Sequence, residues 1–189
     1  MIGATGNMGA EISKILANGN YKLLLQSNEQ DELHTLVNEI YAANPNADVE
    51  VISCFVDGSW EADIIITDID AEAEHMVAEK IREVANQKII ISIAHALHDT
   101  NKAVRISDGV SSAEEMQDLL PHSKVVKVFN TSFAHNIASH TTDSAKTVTL
   151  MAGNDSEALQ TVFGLFSIAG FNPVIAGDLT VSRALEHIQ

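Results

Sequence analysis

The sequence predicts an α/β fold, a doubly wound and mostly parallel sheet with helices on both faces. Short apolar runs of strand type alternate along the chain with segments of helical spacing, the order that sets parallel strands side by side under crossover helices. The chain opens on MIGATGNMGAEI, in which Gly3, Gly6 and Gly9 stand just ahead of a helical pattern, as in a strand-to-helix turn. With 189 residues, 46% of them hydrophobic, the chain can bury a full core, and residues 1–189 read as a single domain.

Each element follows from its local pattern. Only Met1 and Ile2 precede the first glycine, whereas a central strand has about five residues, so the first strand is predicted to be truncated. ISKILANG puts Ile12, Ile15 and Leu16 on one helical face and reaches Gly19, a residue type that closes helices. YKLLLQS reads as a short buried strand, and DELHTLVNEIY returns to helical spacing through Leu33, Leu36, Val37 and Ile40. VEVISC, ADIIIT and KIIISIA suit strands covered on both faces. Between the last two, AEAEHMVAEKIREVAN places Met76, Val77, Ile81 and Val84 on the buried side of a helix. SSAEEMQDLL starts with Ser112 and Glu115 at capping-box spacing and is followed by Pro121. KVVKVFN and KTVTLMAG read as strands, and DSEALQTVFGLFSIAG as a helix begun by Asn154 or Asp155 and ended by Gly170. NPVIAG is a last short strand and LTVSRALEHI a last helix.

Charge narrows the function. The net charge of −15 leaves no basic surplus to neutralise phosphates, which argues against nucleic acid and anionic membrane surfaces as partners. No signal peptide or bilayer-spanning apolar run is present, so a soluble, cytoplasmic protein is expected. The single Cys54 permits no internal disulfide and is expected to pack in the core.

In a strand–loop–helix turn, the first glycine allows the tight bend, the second lets backbone approach a pyrophosphate and the third lets helix and sheet pack closely. The helix start then offers oriented N–H groups to the anion. Gly3, Gly6 and Gly9 fit those roles, with Thr5, Asn7 and Met8 presenting donors, and the downstream strand–helix order supports a Rossmann-like dinucleotide site. GATGNMG closely resembles the loop of the deazaflavin-dependent NADP oxidoreductase family, reductases that exchange hydride between NADP and coenzyme F(420). SSAEEMQDLLPHSKVVKVFNTSFA, MAGNDSEAL and IAGDLTVSRALEHI resemble later segments of the same family in the same order.

The resemblance implies a nicotinamide dinucleotide, NAD or NADP, and a small-molecule redox acceptor of deazaflavin or flavin type. It places Thr5, Gly6, Asn7 and Met8 at the pyrophosphate, Ser27 and Asn28 at the adenosine ribose, and Thr67 and His95 on the wall near the nicotinamide. Asn130, Thr131, Ser132 and Phe133 fall where the acceptor ring would approach. Arg183 and Glu186 stand at family positions in the closing segment and, three apart on one helix, are also spaced to pair with each other. A homodimer is an open expectation.

Besides its shortened first strand, the chain departs from the family pattern at three places. Ser27-Asn28 replaces a serine–arginine pair and Glu32 a basic residue, and no arginine or lysine lies between Lys22 and Lys80. These changes predict loss of the NADP preference. TDID stands where an apolar residue and proline are usual, and reads as a solvated loop leading into a helix start. IAHAL replaces a proline-containing ending.

Hydride transfer between two rings needs alignment and a dry cleft more than a proton donor, and no nucleophile–base pair is evident. Neither Tyr21 nor Tyr41 has the lysine four residues on that short-chain dehydrogenase chemistry requires. His95, His98, His135 and His140, with Asp68 or Asp70, could suggest a metal, but no paired-ligand motif supports one and none is expected. The alternative of another class is a non-catalytic module that senses NAD(P) redox state and acts on a partner protein.

Overall fold

The computed structural model describes residues 1–93, 109–130 and 148–186, without the side chains of Phe129, Asn130 and Leu185. Helices and strands alternate in the order α1 (Asn7–Leu16), β1 (Lys22–Leu25), α2 (Gln30–Ala43), β2 (Asp48–Val51), α3 (Phe55–Glu61), β3 (Ile64–Thr67), α4 (Ala71–Ile81), β4 (Ile89–Ser92) and α5 (Ser112–Leu119). Then come β5 (Lys124–Asn130), β6 (Val148–Gly153), α6 (Ser156–Ile168), β7 (Asn172–Gly177), a 3₁₀ turn over Leu179–Val181 and α7 (Ser182–Leu185).

β1 and β2 pair in parallel, and β3-β4-β5-β6-β7 form a second group whose only antiparallel pair is β5–β6. Ile2 joins the groups through parallel bridges to Gln26 on one side and Thr67 on the other. Its N–H donates to Ile66 O at 2.8 Å and its carbonyl accepts from Asp68 N at 3.0 Å, while Met1 O accepts from Gln26 N at 3.0 Å. Met1 and Ile2 thus carry the sheet pairing up to the glycine turn. Behind it, β1 and β3 face each other across a cavity of about 390 Å³ lined by Leu16, Leu24, Ile64, Ile66 and Leu165 among others. The Met1 amine donates to Leu24 O at 2.7 Å beside this gap, and burial lowers its pKa to about 5.

Strand alternation divides the core. Ile66, Ile91, Val126 and Met151 pack under α1 and α6 against Met8, Ile12, Val162 and Phe166. Ile65, Ile90 and Val125 pack on the opposite face against Val77, Ile81 and Met116 of α4 and α5. Helices therefore cover both faces, which explains the unbroken aliphatic runs of the central strands.

Several local expectations are corrected. The capping box of α5 is Ser111 with Glu114, one residue earlier than the Ser112–Glu115 reading, because Ser112 is already helical and its hydroxyl is bound to Glu186. Cys54 is exposed rather than in the core: β2 stops at Val51, and Cys54 is the residue that precedes α3, a helix the sequence reading did not include. Met76 is 52% exposed, since Glu74, Val77, Ala78 and Ile81 form the buried side of α4. α1 ends at Leu16, two turn residues before Gly19, and Gly19 is not among the residues of positive φ. Gly170, at φ +88°, does follow α6, and Asp155 caps that helix by accepting from Ala158 N.

Candidate functional site

The glycine turn is held where the sequence placed it, between the sheet and the start of α1. Gly3 N and Ala4 N donate to Gln26 O at 3.0 and 2.9 Å, and Gly6 N donates to Gly3 O at 3.0 Å. Gly3 has φ +78°, and a Cβ there would collide with the Asp68 carbonyl, so both conformation and space require glycine. A Cβ on Gly6 would collide with the Asp68 carboxylate. The start of α1 has no side-chain cap at Gly6. Ala10 N is satisfied by Gly6 O and Gly9 N by Asp68 Oδ2 at 2.6 Å. Among the described residues the amides of Asn7 and Met8 have no partner. Two unpartnered donors at the positive end of a ten-residue helix fit an anionic group such as a pyrophosphate. Met8 can contribute only its backbone, because its side chain is buried under the sheet.

Ser27, at the tip beyond β1, is buried, and its hydroxyl shares a 2.6 Å hydrogen bond with Thr5 Oγ1 and accepts from Glu29 N at 3.1 Å. Asn28 is exposed. Beside them, α1 and α2 bound a hollow of about 300 Å³ whose lining includes Thr5, Lys14, Asp31, Glu32, Thr35 and Glu39. Lys14 is the one basic residue of that lining, and it is paired with Glu39 at 2.9 Å and Glu11 at 3.3 Å. The hydrogen bond to Glu39 is the main cause of its raised pKa. Sequence reasoning looked for a base after β1 and missed this one, which reaches the hollow from α1. Its position one helical turn beyond Ala10 was the available signal.

Thr67, assigned by resemblance to the nicotinamide wall, is fully buried, and its hydroxyl donates to Glu74 Oε1 at 2.6 Å. It begins a polar row that the sequence reading did not find. Thr67 pairs in register with Ser92, and Ser92 with Lys127, across three neighbouring strands. All are fully buried. Lys127 Nζ lies 3.1 Å from Ser92 Oγ and 3.5 Å from Glu186 Oε1. Glu186 accepts in turn from Ser112 Oγ at 2.7 Å and Ser112 N at 3.1 Å. Burial raises the pKa of Glu74, with the Lys127 charge working in the opposite direction. Arg183 and Glu186 do not pair with each other. Arg183 makes a double hydrogen bond to Glu114 at 2.6 and 2.8 Å, which pulls the Glu114 carboxyl down to about 2.

The TDID stretch is only partly the solvated loop expected. Asp70 is exposed and caps α4 by accepting from Ala73 N at 2.8 Å, whereas Asp68 is half-buried in the glycine turn. His95, His98, His135, His140, Thr131, Ser132 and Phe133 lie outside the described residues, as does the side chain of Asn130. Among the described residues no group of His, Cys, Asp or Glu is arranged to hold a metal ion, and no helix is long and apolar enough to cross a membrane.

No protein-family model matches the chain. Its fold is shared with solved structures of low sequence identity. A protein of Arthrobacter sp. FB24, named as a candidate F(420)-dependent NADP reductase, superposes with a TM-score of 0.76 at 19% identity over 99% of this chain and 88% of that one. A hypothetical protein of Sinorhizobium meliloti gives 0.76 at 24% identity over 98% and 87%. An imine reductase from Myxococcus stipitatus, solved with NADP+, gives 0.69 at 12% identity over 97% of this chain and 58% of that one. The chain has the Rossmann-like α/β fold of these structures.

Proposed function

We propose that this chain is an NAD(P)-dependent oxidoreductase that passes hydride between a nicotinamide dinucleotide and a deazaflavin- or flavin-like acceptor. The observation that carries the reading is the pair of unpartnered amides, Asn7 and Met8, at the start of α1 behind a turn that only glycines can make. They suit a pyrophosphate, and the hollow between α1 and α2 next to them suits an adenosine. A bound dinucleotide would supply the hydride. The protein's own part is to hold it by backbone N–H groups, fix its orientation at the carboxyl ends of the strands and exclude water there. The family likeness of GATGNMG and the fold shared with the Arthrobacter protein support the acceptor class.

The lining of the hollow favours NAD over NADP. A 2′-phosphate carries close to two negative charges and is normally met by arginine or lysine. Here Asp31, Glu32 and Glu39 surround the hollow, and Lys14 is already held by carboxylates.

Stopped-flow oxidation of NADH and NADPH with a panel of flavin, deazaflavin and quinone acceptors tests the reading. Turnover with a flavin or deazaflavin is expected. Tight dinucleotide binding without turnover of any acceptor would instead favour the redox-sensing module.

A further inference from the structure

The four residues Thr67 to Asp70 send their polar groups in three directions. Thr67 turns under α4 to Glu74, and Asp70 caps α4. Asp68 instead reaches across to the other end of the fold's opening turn. Its Oδ2 accepts from Gly9 N at 2.6 Å and occupies the space that a Cβ on Gly6 would need. The Asp68 backbone also closes the first bridge, its N–H donating to Ile2 O at 3.0 Å. Main chain and side chain together fasten it to the turn. Gly9 follows directly on Asn7 and Met8, so a carboxylate already sits on the third amide of the helical turn whose first two remain for a ligand.

We propose that Asp68 sets the affinity of the dinucleotide site: it is a resident negative charge that competes with the pyrophosphate for the amino end of α1. This rests on the dinucleotide reading above. A helix start favours one anion by its partial positive charge. A second anion brought beside the first gains from the same dipole but is repelled by the resident charge, and at a half-buried site that repulsion is only partly screened. The carboxylate therefore orders the turn by satisfying Gly9, and weakens every ligand that carries a pyrophosphate. It acts alike on NADH and NADPH, because both carry the same pyrophosphate. Asp31 and Glu32, which line the adenosine hollow, act mainly on the 2′-phosphate. Two groups of acidic residues thus separate overall affinity from cofactor choice.

The test is calorimetric titration of the full chain and of Asp68→Asn with ADP-ribose, NADH and adenosine. Asparagine keeps an acceptor for Gly9 N and removes the charge. ADP-ribose and NADH are expected to bind about tenfold tighter to the variant at low ionic strength, with adenosine unchanged. The gain should shrink in 1 M salt, where the screening length falls to roughly 3 Å. Asp68→Ser, which removes the charge with a smaller side chain, should behave alike. Equal or weaker ADP-ribose binding by both variants, with intact far-UV circular dichroism, would overturn the proposal and mark Asp68 as a ligand-holding or purely structural group. If adenosine tightened equally, the effect would not be a pyrophosphate effect and the proposal would fall. If neither the wild type nor the variants bound ADP-ribose or NADH, the dinucleotide reading would fall and this proposal with it.

Discussion

The two faces of the sheet differ in adjacent register rows of its central strands, where β3 and β4 end. Under α1 and α6 the register row Ile66–Ile91–Val126 is aliphatic throughout. Under α4, α5 and α7 the next row is Thr67–Ser92–Lys127, and it is just as buried. The first face is stabilised by area removed from water and is tolerant of small changes in shape. The second depends on specific partners, because a buried ammonium needs its carboxylates and an unpaired buried charge is costly. The polar face is also the one that docks the end of the described chain, since Glu186 reaches both Lys127 and Ser112. One face is aliphatic, whereas the other adds a polar row to the aliphatic row Ile65–Ile90–Val125.

The largest expected effect breaks the polar face. Lys127→Ala removes the ammonium that faces buried Glu186 and Glu74, and the loss should be about 3–5 kcal/mol in urea unfolding. A loss below about 1 kcal/mol would show that this row is not held by charge pairing. On the opposite face the expected changes follow packing. Fusing an apolar, β-branched tripeptide ahead of Met1 should fill the gap between β1 and β3 and replace a buried amine by an amide. The melting temperature should rise by several degrees, as about 2 kcal/mol gives in a chain of this size; a Gly-Ser tripeptide of equal length should give little. Ile91→Val, a single methylene in the aliphatic row, should cost only about 0.5–1.5 kcal/mol.

The smallest expected effect is a change of pH slope. Glu74 has a folded pKa raised above its ordinary value of 4.5. The folded state therefore binds its proton more tightly than the unfolded state does. Its contribution is full below the unfolded pKa and is lost as pH rises through the folded one. Glu74→Gln, which cannot ionise, should flatten that fall on the alkaline side of 4.5. An unchanged slope in denaturant titrations across pH would remove Glu74 as its source.

The contrast between the faces also marks what could be read from the sequence. The glycines at Gly3, Gly6 and Gly9 carry a spacing that depends only on neighbours along the chain, so the turn and the start of α1 were legible. The aliphatic runs around Ile65, Ile90 and Val125 announced buried strands for the same reason. Asp68 was not legible as part of the turn, because its contact with Gly9 spans the fold and its stretch reads as solvated acid. The polar row was half visible: Thr67, Ser92 and Lys127 each stand two residues past a buried aliphatic residue, but only the strand register shows that they align. Lys14 was hidden differently, as a surface helix residue whose relation to the hollow between α1 and α2 exists only once those helices pack together. Glu114 and Arg183 likewise meet only through folding, 69 residues apart.

We propose that the glycine turn and the acidic hollow beside it bind a nicotinamide dinucleotide without selecting its 2′-phosphate. Fluorescence titration of NADH and NADPH against the full chain at equal ionic strength tests this most directly. NADH is expected to bind at least as tightly as NADPH. NADPH binding tenfold tighter, about 1.4 kcal/mol, would contradict this and point to a basic residue that meets the 2′-phosphate; absence of binding by both would contradict the site itself.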